Sequence, residues 1–153
     1  MISMPSNNER VNQLKRLLSI TIDGIEVYRQ SLKNAESAET RSLFKNLLIQ
    51  RNEYAEELKD AVRSLGSKRD DASGSKLSAL GRLWKDIKAT ISNDAELSTL
   101  EACADDERAV LEEYELVLDD PGLDLKLREM LTDQKNGIER ALARAEQMAR
   151  IYK

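Results

Sequence analysis

Four stretches of this chain repeat apolar residues at alternating steps of three and four, and that spacing constrains the fold more than any other feature. The first runs through Val11, Leu14, Leu18, Thr21, Ile25, Tyr28, Leu32 and Ala35. The second contains Phe44, Leu47, Arg51, Tyr54, Leu58, Ala61 and Leu65, and the third Leu97, Leu100, Ala104, Glu107, Leu111, Tyr114 and Leu118. The fourth contains Leu127, Met130, Gln134, Ile138, Ala141, Ala145, Met148 and Tyr152. A 3.6-residue period brings such positions onto one side of a helix, so each stretch presents one seam to a common interior. Leu17, Leu43, Leu48, Val62, Val110 and Leu131 widen the seams beyond the strip a two-stranded coiled coil needs. Strands are disfavoured, because aromatics are only 4% of the chain and β-branched residues are sparse beside Leu, Ala, Glu, Lys and Arg.

The spacing predicts helices near 8–35, 38–65, 95–119 and 123–151 in an all-α four-helix bundle. Residues 1–7 are expected to be a disordered N-terminus and 8–153 a single domain. Local signals agree. Asn7 or Asn8 can cap the first helix and Ser37 the second. Gly66 follows Leu65 as a left-handed helix stop. Asp120-Pro121-Gly122 supplies the turn into the last helix. Between helices two and three, residues 67–75 read as an exposed loop. Leu77, Leu80, Trp84, Ile87 and Ile91 then form a short amphipathic fifth helix over about 76–92. A loop plus a short helix can traverse the length of a bundle, which is about 42 Å for a 28-residue helix. Helices two and three can therefore run parallel, joined by a crossover as in ferritin-like bundles. The alternative is an up-down-up-down bundle with a decorated loop.

Composition closes off several chemistries. There is no His, which removes the commonest general base and the commonest metal ligand together. The lone Cys103 permits no intramolecular disulfide, and on an acidic helix it reads as a half-buried structural residue. No glycine-rich phosphate loop is present. The net charge is −4, unevenly placed: from Asp94 to Asp120 there are 11 acids and a single base, Arg108. That segment reads as an acidic helix packed beside more basic ones, or as a face for a cation or partner. No basic stripe with interleaved aromatics points to nucleic acid. No apolar run is long enough to span a membrane, and no signal peptide is evident, so the expected location is cytoplasmic.

The informative positions are those where the apolar pattern fails. Thr21, Gln50, Arg51, Glu107 and Gln134 interrupt the seams near the middle of each long helix, and buried polar groups must find partners. If short turns join antiparallel pairs, these residues fall at roughly one level of the core. Tyr28, Tyr54 and Tyr114 lie in three of the seams and can add hydroxyls to that layer. This is where carboxylate-bridged di-metal bundles hold their ions, with a Glu from each of two helices and Glu-x-x-His from each of the other two. Here the counterparts are depleted. Helix two offers Gln50 and Glu53, helix four Gln134 and Gly137, helix three Glu107, and helix one Thr21 with Asp23 and Glu26 flanking it. Three arrangements remain: a core network of Glu107 and Arg51 with the two Gln side chains, a metal centre, or seams rotated so that these groups face solvent.

At these residues the chain resembles a known family. Asp23-Gly24 followed by Tyr28, then Phe44, Gln50-Arg51, Glu57-Leu58 and Leu65-Gly66, is similar to the first half of a bacterial ferritin-like family of unknown function. Trp84-Lys85-Asp86-Ile87-Lys88-Ala89, Glu101-Ala102-Cys103 with Glu107, and Gln134 with Gly137-Ile138 and Ala141 resemble its crossover, third and last helices. The likeness runs from about Val11 to Ala145. It implies a ferritin-like four-helix fold with no established activity. The family often carries a His in the last helix, where Leu142 stands here. The preferred reading is a non-enzymatic bundle with a degenerate di-metal site, without a cofactor, acting by self-association as a homo-oligomer or through a protein partner, in stress physiology among other settings. The alternative is a metal-binding or oxidase-type bundle that holds Fe or Mn with Glu26, Glu53 and Glu107 together with Gln50 and Gln134.

Overall fold

A computed structural model describes residues 7–66 and 93–153. They form four helices: α1 (Asn7–Asn34), α2 (Ala38–Ser64), α3 (Asn93–Leu118) and α4 (Leu125–Ile151). No strand occurs among the described residues. The helix ends match the local chemistry. The Ser37 side chain accepts the Thr40 N–H and starts α2, and Asp124 does the same for α4 by accepting the Leu127 N–H. Gly66 closes α2 at φ +90°, a region open to glycine without steric cost. Asn7 and Asn8 lie within α1 rather than capping it, and the residues that precede α1 and α3 lie outside the described residues. So do the expected fifth helix over 76–92 with Trp84, and the first six residues of the expected N-terminal tail.

The short turns make two antiparallel hairpins, α1–α2 and α3–α4, and the backbones run closest within each hairpin. An arginine fastens each turn to carbonyls that a helix end leaves unpaired. Arg41 donates to the carbonyls of Leu32 and Ala35, and Arg128 to that of Leu118. Contacts between the hairpins set their orientation. Arg10 meets Asp120, Arg16 meets Glu113, Tyr28 meets Glu107 and Ser37 meets Glu96, so α1 and α3 are antiparallel. Gln134 meets Glu57 and Arg144 meets Ser42, so α2 and α4 are antiparallel as well. It follows that α2 and α3 run parallel on one diagonal of the bundle. An up-down-up-down order would make them antiparallel, and these contacts are incompatible with it.

The seams face inward. Leu14, Leu17, Leu18, Leu58, Val62, Leu131 and Ile138 build one apolar region. Leu43, Phe44, Leu47, Leu100, Cys103, Ala104 and Ala145 build the other. Glu96, in the first turns of α3, clasps the start of α2. Its carboxylate accepts the N–H groups of Glu36 and Ser37 and the Thr40 hydroxyl. Among the described residues no helix is long and apolar enough to cross a membrane.

Candidate functional site

Arg51 and Glu107 are the two buried charged side chains among the described residues, 2% and 0% exposed. Each sits in its helix's seam, and the parallel diagonal of α2 and α3 brings them together. Arg51 Nη2 donates to Glu107 Oε2, and the Tyr28 hydroxyl from α1 donates to Glu107 Oε1. Arg51 Nε donates to Gln50 Oε1 at 3.2 Å. The guanidinium also lies 5.6 Å from the Tyr28 ring centroid. Burial works against the charge on Arg51, but the Glu107 carboxylate beside it holds its pKa above the ordinary arginine value. Burial, and then Glu107, push the Tyr28 hydroxyl well above the usual tyrosine range. Cys103 is fully buried rather than half-buried. Its thiol is likewise raised, by burial first and by Glu107 second, which suppresses the nucleophilic thiolate.

A second polar level lies seven residues along α3, about 10 Å away at 1.5 Å per residue. The Tyr114 hydroxyl donates to Gln134 Oε1 at 2.6 Å and also meets the Thr21 side chain. Gln134 Nε2 reaches Glu57 Oε1 on the exposed face of α2 at 3.1 Å. This belt touches all four helices. Thr21 and Gln134 are buried, and Thr21 Oγ1 donates to the Leu17 carbonyl. The polar groups thus occupy two levels rather than one. The reason is the register of α1 against α3, which sets Thr21 opposite Tyr114 and Tyr28 opposite Glu107.

The remaining sequence candidates separate. Gln50 and Tyr54 are half-buried against α4. Glu53 faces solvent. Glu26 is also outside the core, paired on the surface with Arg29 at 2.7 Å. Glu57 joins the belt with no break in apolar spacing to mark it. Gly137 matters through what it lacks. A Cβ there would fall 2.0 Å from the Tyr54 Oη and 3.0 Å from Gln50 Nε2. Gly→Ala inside a helix ordinarily gains about 0.5–1 kcal/mol. Gly137→Ala is instead expected to lose about 1–2 kcal/mol, the usual result of overpacking. In a Tyr54→Leu background the same change is expected to become neutral or stabilising. Urea denaturation of the four proteins in this cycle checks it; equal effects of Gly137→Ala in both backgrounds would contradict the clash.

Chemically, the arrangement is a closed network in which one anion is met by a permanent cation and a phenol. Among the described residues no group of three or more His, Cys, Asp or Glu side chains could hold a metal. Residues 9–120 match the family described as a domain of unknown function (DUF2383). The chain belongs to this family. The DUF2383 match takes in α1, α2 and α3 and ends at Asp120, where Arg10 binds the turn into α4. No curated protein and no solved structure matches the chain. Within the DUF2383 region lie both charged members of the central network, while the Gln134 belt partner lies beyond it.

Proposed function

We propose that this chain is a ferritin-like bundle whose di-metal site is degenerate, its centre closed by its own cation. In this reading it is non-enzymatic and cytoplasmic, and it acts through its outer surface by self-association or by binding a protein partner. The supporting observation is the Arg51 guanidinium held against Glu107 at the middle of the interior. A fixed positive charge there repels a divalent ion and occupies the carboxylate such an ion would need. The other candidate groups fit a metal poorly. Gln50 and Gln134 are neutral amides, Gly137 has no donor, and Glu26 and Glu53 point away from the core.

Protein incubated with Fe²⁺ or Mn²⁺, desalted and analysed for metal is expected to retain far less than one ion per chain, with no change in melting temperature. Stoichiometric Fe or Mn that is lost on Glu107→Ala would replace this reading with a metal-binding one.

A further inference from the structure

The two hairpins carry matching seams. α1 places Thr21 and Tyr28 seven residues apart, and α3 places Glu107 and Tyr114 seven apart. Gln50 interrupts the apolar pattern of α2 as Gln134 does that of α4. The pairing between hairpins is reciprocal: Tyr28 of the first meets Glu107 of the second, and Tyr114 of the second meets Thr21 of the first. The helices are nearly equal in length, 28 and 27 residues in one hairpin and 26 and 27 in the other. By apolar pattern and length alone, a hairpin could pack on a second copy of itself.

Charge is where the match fails. Arg51 belongs to the first hairpin and Glu107 to the second. Two α1–α2 hairpins packed together would bury two guanidinium groups with no anion between them. Two α3–α4 hairpins would bury two carboxylates. The rim follows the same sign rule. Arg10 and Arg16 on the first hairpin meet Asp120 and Glu113 on the second, at 2.6 and 2.7 Å. The Glu96 carboxylate of the second hairpin is satisfied by the N-terminus of α2 in the first. Buried ion pairs add little net stability compared with apolar replacements, but they penalise wrong partners heavily.

We infer that Arg51 and Glu107 form a recognition code that makes each hairpin accept the opposite hairpin and reject a second copy of itself. The pair selects the partner; the apolar seams supply the stability.

The test uses the full chain with Tyr28→Phe, Arg51→Met and Glu107→Leu together, which removes the charges and the hydroxyl at once and leaves no orphan among them. The variant is expected to keep its helix content and its urea midpoint. Its mass by light scattering should rise over a tenfold increase in concentration, and its amide spectrum should show several signals per residue where the wild type shows one. Association through the outer surface leaves one signal per residue and does not imitate this result. A variant with the wild-type mass and a single set of signals overturns the inference. So does a lowered urea midpoint, because the pair would then be a stabiliser rather than a selector.

Discussion

Glu107→Leu is expected to lower the free energy of unfolding by about 3–5 kcal/mol, the usual result of removing one partner from a buried ion pair. The Glu107 carboxylate serves two donors at once, the Arg51 guanidinium and the Tyr28 hydroxyl. Leucine fills the volume and accepts neither. Arg51 cannot respond by giving up its proton, since a guanidinium stays charged at any pH a folded protein survives. Its outlets are the Gln50 amide and a costly swing toward solvent. The converse change, Arg51→Met, should be milder, because a carboxyl group left alone in the core can take up a proton and become neutral. Urea denaturation at pH 7 measures both. Typical domains are stable by about 5–15 kcal/mol, so the Glu107 effect should move the midpoint unmistakably. A loss below about 0.5 kcal/mol would show that Arg51 reaches water without Glu107.

The parts of this molecule legible in the sequence are those set by period and local chemistry. Four seams at helical spacing, Ser37 before α2 and Gly66 after it depend on neighbours within a few residues, and the helices follow them closely. Thr21, Arg51, Glu107 and Gln134 were visible as breaks in apolar seams, and all four lie in the interior. What the sequence did not reveal was register. Whether Glu107 faces Tyr28 or Thr21 depends on how far α1 slides along α3, and a shift of two helical turns exchanges one for the other without disturbing either seam. The two-level arrangement came from that slide. The role of Glu57 is hidden for a related reason: it stands among the residues that carry the family likeness, but as one of several exposed glutamates on α2 it shows no partner until Gln134 is placed beside it. Gly137 reads as an emptied position of a metal motif until Tyr54 is placed against it. Glu26 and Glu53 illustrate the converse, since carboxylates near the middle of a helix suggest a core layer yet rotate onto the outer face.

The same burial that closes the interior makes the fold sensitive to alkali. Tyr28, Tyr114 and Cys103 are all shifted upward in the folded chain, with burial as the first cause in each case. The ordinary values from which they depart are 10.0 for the tyrosines and 9.0 for the cysteine. Below pH 9 the three groups are neutral in both states and add no pH dependence. Above it the unfolded chain releases protons that the folded chain keeps. The unfolded state then binds fewer protons, so stability falls as pH rises. Each group that is fully ionised when unfolded and still protonated when folded contributes a slope of about 1.4 kcal/mol per pH unit. The thiol begins the decline near pH 9 and the two phenols steepen it beyond pH 10, towards about 4 kcal/mol per pH unit with all three engaged. Urea denaturation at one-unit steps from pH 8 to pH 11 should show a flat region followed by this descent. Cys103→Ala should delay its onset to about pH 10 by removing the earliest group, while leaving the steeper part in place. Stability that stays level to pH 11 would mean that the phenols ionise as readily in the folded chain as in the unfolded one, and that water reaches Tyr28 and Tyr114 from within the bundle.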